Sequence, residues 1–333
     1  MPRAITVPDS VHVTLRADRL PWTPTGLRVR RGDRVTLLGS GFVRWCPPDD
    51  AGAGAKRHLW GRVPGGEIFG CTQDTTTTVI DRDGELELCV YLGTWADRTG
   101  ALATGDAPYR RASGGLEVTA LHWVAGVDPV NGLAALGPDV ADPRLAAAER
   151  ARLCDPVVPP PGWEYLLEIG PGDLYRHARR DGRSAIDVVC DDDAGVIRTD
   201  VGFPLGADTT LEWTWQLDEP PARAPASADW THDQLSVTLE FDSGHTLSWA
   251  ASPDLVHDRR DPGAPIAIRT GEPGVAHRES RNIVDDYRRH LGRPPDRIVG
   301  IRLAAVSHLR HNLLRATFSD IALRTGRHRL QVL

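Results

Sequence analysis

The sequence predicts a mostly β protein made of two jelly-roll-like antiparallel β-sandwich domains, with a short helical linker and one inserted helix. Three observations carry that prediction. The 333 residues exceed what one sandwich needs and suffice for two separate cores. The 33 glycines and 26 prolines favour many short turns over long helices. Between those turns, apolar and polar residues alternate in short runs, the period of half-buried strands.

The first such runs lie between Val11 and Val124. Thr25 to Val29 alternates, Arg31-Gly32-Asp33 supplies a turn, and Val35 to Leu38 resumes, so this stretch reads as a hairpin. Arg82-Asp83-Gly84 introduces a strand over Glu85 to Tyr91, and Gly115 to Leu121 gives another. Composition changes after Val124: Leu145 to Leu153 is rich in strong helix formers, and the prolines between Pro156 and Gly162 stop it. We therefore expect a first domain over residues 1–126, a helical and proline-rich linker over 127–162, and a second domain over 163–333. In that second domain Ala185 to Val189, Leu211 to Leu217, Leu235 to Phe241 and Ile298 to Leu303 carry period-two character. Ile283, Val284, Tyr287 and Leu291 instead recur at helical spacing ahead of Gly292 and Pro294, which predicts the inserted helix over 279–291.

Charge and cysteine usage narrow the classes of partner. With 45 acidic and 39 basic residues the net charge is -6, and no basic stripe offers itself to phosphates, so no nucleic-acid partner is expected. No apolar run reaches the roughly 18 residues of a membrane span. Met1 to Ser10 lacks a charged start followed by an apolar run, so a cytoplasmic protein with no membrane partner is the expectation. The five cysteines, Cys46, Cys71, Cys89, Cys154 and Cys190, are widely spaced without a CxxC pair and read as reduced, mostly buried thiols. The sequence leaves the oligomeric state open.

The run from Thr25 to Leu37, followed by Ser40 to Trp45, Leu59 to Val63 and Gly84 to Tyr91, resembles the calcium-dependent galactophilic bacterial lectin family. The resemblance implies a small jelly roll whose loops at one end hold sugar hydroxyls. Where those lectins carry an Asn-Asp pair that helps hold calcium, this chain has Leu92-Gly93. A hard cation needs such carboxylates, so no cofactor is expected, and calcium fits only if Asp97, Asp49 or Asp50 substitutes. Trp45 falls where the family places a loop aromatic near the metal. Trp45 and Trp95 either stack on a sugar through their apolar faces or fill a core. Farther along, Glu279 to Pro295 with Ile298 to Leu303 and Asp320 to Leu323 is similar to the C-terminal half of an uncharacterised bacterial β-sandwich family, which brings no assigned activity. Its relatives carry an acidic, threonine-rich segment where this chain has Ser307 to Asn312, so no ligand preference follows.

Candidate chemistry collects in the second half. On the strand Leu235 to Phe241 the apolar residues face one way, while Gln234, Ser236, Thr238, Glu240 and Asp242 face the other. If that second face is concave, Glu240 is desolvated, and beside an imidazole it suits general acid or base work. His232, His245, His308 and His311 are the available imidazoles, although His232 and its neighbour Asp233 point apart on a strand. Trp213 and Trp215 share a face that is either core or an aromatic floor for a ligand. Arg281 either shares helix-surface ion pairs with Asp285, which Arg288 also flanks, or, with Tyr287, His308 and His311, contacts a ligand. There is no HExxH, GxSxG, P-loop or dinucleotide fingerprint.

The expected function is a carbohydrate- or polyol-binding protein that takes a small oxygen-rich ligand in a β-sandwich site. The alternative is a cofactor-independent biosynthetic lyase, isomerase or dehydrative cyclase acting on an oxygen-rich natural product in a pocket between the domains. Glu240, His232, Asp242 and His245 would then be its catalytic groups, with Trp45 and Trp95 as a wall.

Overall fold

A computed structural model describes residues 9–45, 52–221, 234–252, 265–268, 271–308 and 311–333. The chain divides into two compact units: Met1–Pro156 with Gly170–Gly172, and Val157–Ile169 with Asp173–Leu333.

The first unit holds β1 (Asp9–Arg16), β2 (Thr23–Val29), β3 (Arg34–Arg44), β4 (Gly52–Ala53), α1 (Ala55–His58), β5 (Leu59–Arg62), β6 (Phe69–Gly70), β7 (Thr75–Val79), β8 (Gly84–Val90), α2 (Ala107–Arg111), β9 (Ser113–Trp123), α3 (Pro129–Ala134) and α4 (Pro143–Cys154). Its sheets run β1-β9-β3-β4, with β7 also on β3, and β2-β8-β5-β6. Alternation fixes which face is buried: Val35 and Leu37, Leu86 and Leu88, and Leu116 and Val118 all enter one core. The Arg31-Gly32-Asp33 turn exists, with Gly32 at φ 88°, but it does not close a hairpin. β2 pairs with β8 while β3 pairs with β9, so the turn carries the chain from one sheet to the other. Turn chemistry is local, whereas the pairing partner is chosen by where each strand buries its apolar face.

The expected linker is also revised. Asp128 and Asp142 cap α3 and α4 by accepting from the amides of Val130 and Arg144. Leu133, Ala141 and Ala146 then pack on Leu38, Leu121 and Trp123, so this stretch completes the first unit. A fully buried Glu149 fastens α4: it accepts from Thr75 Oγ1 at 2.7 Å and takes two hydrogen bonds from Arg152 at 2.9 and 2.7 Å.

The second unit holds β10 (Glu164–Tyr165), β11 (Tyr175–Arg180), β12 (Arg183–Asp191), β13 (Ala194–Pro204), β14 (Thr210–Glu219), β15 (Gln234–Phe241), β16 (Thr246–Ala251), β17 (Ile266–Ile268), β18 (Ala276–Asn282), α5 (Ile283–Leu291), β19 (Arg297–Val306), β20 (Leu313–Thr325) and β21 (His328–Gln331). The sheets run β10-β13-β19-β15-β16-β17 and β11-β12-β20-β14-β18, with β21 on β20. Named pairings are antiparallel except β16 with β17. The protein is thus mostly β, two sandwiches with few short helices.

Leu211, Trp213, Trp215 and Leu217 of β14 face the same core as Leu235, Val237, Leu239 and Phe241 of β15. Trp213 and Trp215 are 1% and 2% exposed, so they are core residues and not a ligand floor. The inserted helix begins at Ile283, later than expected, because 276–282 pair with β14 as a strand and Asn282 Oδ1 caps the helix at the Asp285 amide. Arg281 therefore lies on β18 and pairs with Glu279 at 3.3 Å, not with Asp285. Trp249 Nε1 donates to Asp286 Oδ2 at 2.9 Å, and buried Tyr287 meets Phe241 edge-on, which docks α5 on the core.

Cys71, Cys89 and Cys190 are buried thiols and Cys154 is an exposed one; Cys46 lies outside the described residues. Among the described residues no helix is long and apolar enough to cross a membrane.

Candidate functional site

At the end of β3 the chain leaves the first sheet through Phe42, Arg44 and Trp45. Phe42 is 42% and Trp45 37% exposed, and the Arg44 guanidinium sits over the Phe42 ring at 5.6 Å. Trp45 Nε1 donates to Nε2 of His58, a buried residue of α1, at 2.9 Å. Because that nitrogen accepts, the His58 proton is on Nδ1, which donates to the Tyr91 carbonyl at 2.7 Å. One indole is thereby oriented through an imidazole tied to the main chain after β8.

Trp95 does not share that exposure. It is 4% exposed and stacks on Tyr91 at 4.4 Å and on Trp22 at 5.6 Å, with Trp60 edge-on at 5.5 Å. Arg62 covers the far side of the cluster, 4.1 Å over the Trp22 ring. This tryptophan therefore belongs to an aromatic core and offers no face to a ligand. Asp97 Oδ1 accepts from the Thr99 hydroxyl at 2.7 Å and the Thr99 amide at 2.8 Å, closing its own turn. Those hydrogen bonds hold its carboxyl below the ordinary carboxylate range. Among the described residues no cluster of metal ligands includes Asp97, and Asp49 and Asp50 lie outside them.

The candidate catalytic group in the second unit is dispersed. Glu240 does lie on the outward face of β15, 8% exposed, but its Oε2 accepts from Arg198 Nε at 2.6 Å and its Oε1 pairs with Arg302. Its carboxylate rests over Gly300, where a Cβ would collide with Oε2. Burial works against the Arg198 charge, yet Asp200 and Glu240 prevail and hold its pKa above the ordinary guanidinium value. Glu240 is thus a cross-strand ion-pair centre, and among the described residues no imidazole pairs with it. Asp242 lies in the exposed turn after β15 and does not continue that sheet face. His245 is engaged elsewhere, with Nδ1 2.9 Å from Tyr287 Oη and 3.3 Å from Ser243 Oγ. His232 lies outside the described residues. Tyr287, 1% exposed, is a packing residue of α5.

His308 and His311 are brought together, and with a residue that the sequence did not single out. Asp192 Oδ1 lies 3.0 Å from His308 Nδ1 and 2.8 Å from His311 Nδ1. Burial alone would raise the Asp192 pKa, but hydrogen bonds from His311 and His308 outweigh it and lower the value. The His-x-x-His spacing is visible in sequence, while Asp192 lies 116 residues before His308. A second missed feature is a shallow depression on the outward face of β12, β14, β18 and β20, bordered by Arg183, Arg278 and Arg324. Glu212 and Asp320 pair with these arginines at 3.0 to 3.5 Å, although with Arg329 the lining holds four guanidinium groups against two carboxylate side chains.

No curated protein matches the chain. Residues 163–264 match a family described as a protein of unknown function, DUF3047. Among solved structures, the N-terminal domain of EclA, a PllA-like lectin, is 19% identical, with 34% of this chain and 95% of that chain covered and a TM-score of 0.27. The xyloglucanase domain of NopAA, a type three effector from Sinorhizobium fredii solved with cellobiose, is 10% identical over 51% of this chain and 95% of its own, with a TM-score of 0.28. A structure from work on promiscuous carbohydrate-binding modules of the β-sandwich superfamily is 11% identical over 96% of this chain and 100% of its own, with a TM-score of 0.26.

Proposed function

We propose that the first unit is a carbohydrate- or polyol-binding module whose ligand stacks on Trp45. The observation that carries this reading is an indole oriented by a buried imidazole while 37% of the residue stays exposed. Side-chain entropy already lost on folding is not lost again on binding, so a fixed aromatic face binds better than a mobile one. The apolar C–H face of a sugar ring complements such an indole. The resemblance of Thr25 to Trp45 to galactophilic lectins agrees with this end of the unit. Against Glu240 as a free acid or base of the enzyme alternative, both of its oxygens are held by guanidinium groups.

Calorimetric titration of the whole chain with galactose, glucose, xylose, cellobiose and myo-inositol, with and without calcium, tests the reading. At least one is expected to bind, with affinity falling roughly 10- to 100-fold in Trp45→Ala and less in Trp45→Phe. No heat across the panel, or binding indifferent to Trp45→Ala, would remove this site.

A further inference from the structure

We propose that Asp192, His308 and His311 bind a divalent transition-metal ion of the zinc class at one loop end of the second unit. The three residues come from two connections, β12 to β13 and β19 to β20, and one ligand atom from each lies within 4.8 Å of the others. Two imidazole nitrogens and a carboxylate oxygen form a donor set that suits zinc, cobalt or nickel, whereas calcium and magnesium require mainly oxygen. The present separations of 2.8 and 3.0 Å between Asp192 Oδ1 and the two Nδ1 atoms are hydrogen-bond distances. Around a tetrahedral zinc with bonds of about 2.0–2.1 Å, ligand atoms stand about 3.3 Å apart, so the two oxygen–nitrogen pairs need to open by only a few tenths of an ångström.

The scaffold beneath these ligands is closely tied. Ser307 Oγ donates to the Cys190 carbonyl at 2.9 Å, and the Ser307 amide donates to the Asp193 carbonyl at 2.8 Å. The Asp192 amide donates to the Asn312 carbonyl at 3.1 Å, and the Asn312 amide to the Ser307 carbonyl at 3.2 Å. These bonds hold the two loops in register, the support that a metal site draws from its surroundings. Asp192 and His311 themselves take left-handed backbone, φ 46° and 49°, which only four non-glycine residues do among those described. Strain of this kind persists where surrounding structure enforces it and collects at functional positions. Beside His311, Asn312 Oδ1 is buried without a hydrogen-bond partner among the described residues, an oxygen suited to a metal-bound water. The Asp192 and His311 side chains are 49% and 71% exposed, so an ion can reach them from solvent.

The test uses the full chain after chelator treatment, titrated calorimetrically with zinc chloride and, separately, calcium chloride. One zinc per chain is expected, with no heat from calcium. Affinity should fall more than about tenfold in His311→Ala and in Asp192→Asn, and further in the double substitution. His311 is exposed, so its variant should fold, and circular dichroism checks this; if Asp192→Asn does not fold, His311→Ala decides. Absence of zinc binding at millimolar concentration, or stoichiometric binding that both variants retain, overturns the assignment. Neither outcome bears on sugar binding at Trp45.

Discussion

Asp33 sits in the turn between β2 and β3, and its buried carboxylate accepts from the Arg30 amide at 2.8 Å, the Ala125 amide at 2.9 Å and His122 Nε2 at 2.7 Å. Burial alone would raise its pKa, but the hydrogen bonds from His122 and the two amides overcome it and lower the value. A carboxyl with a depressed folded pKa stabilises the fold above its ordinary pKa, near 4, and loses that contribution as pH falls through the folded value. Asp33→Asn is therefore expected to cost about 2 kcal/mol at pH 7, with the gap to wild type narrowing below about pH 4. Urea melts at pH 7 and pH 3 measure it, and an equal gap at both would contradict the account. Trp213 shows what the sequence offered and what was overlooked. It shares a face with Leu211 and Leu217 as well as Trp215, and a face apolar at every position is a core face.

At the scale of elements, α4 and the Arg198–Glu240–Arg302 bridge make separate predictions. Glu149→Ala strips the Thr75 hydroxyl and the Arg152 guanidinium of their shared buried acceptor, and about 3 kcal/mol should be lost. Glu149→Gln should lose less, and thermal melts distinguish the two; a neutral Glu149→Ala would mean that α4 is not anchored there. Gly300→Ala should destabilise by about 1–3 kcal/mol, since its methyl displaces the Glu240 carboxylate from between two arginines. In Glu240→Ala the same glycine substitution should cost much less, and additive costs in that double-mutant cycle would deny the contact. Strands β8, β9, β12, β14, β15 and β19 are legible because alternation and turn residues are local properties. The hairpin expected at Thr25 to Leu38 fails because local signals specify a turn but not which sheet receives each strand. Helix formers in Leu145 to Leu153 likewise announce a helix, yet only the packing around Trp123 makes it part of the first unit.

For the whole molecule, each unit has a continuous apolar core of its own. Residues 157–333 expressed alone should consequently unfold in one cooperative urea transition, with Trp213, Trp215 and Trp249 passing from buried to exposed emission. A gradual, non-cooperative change would show that this core does not suffice.

By itself the sequence determined a two-sandwich, mostly β chain and the helices near 143–154 and 283–291, set by periodicity and turn chemistry within a few residues, whereas the exposure of Trp45 came from the structure. Only the tertiary structure decided which polar residues meet. Asp192 reaches His308 and His311 across 116 and 119 residues, and Glu240 finds Arg198 and Arg302 across 42 and 62. The physical reason is that strand order and register place side chains on neighbouring strands and loops, and no local pattern encodes that order.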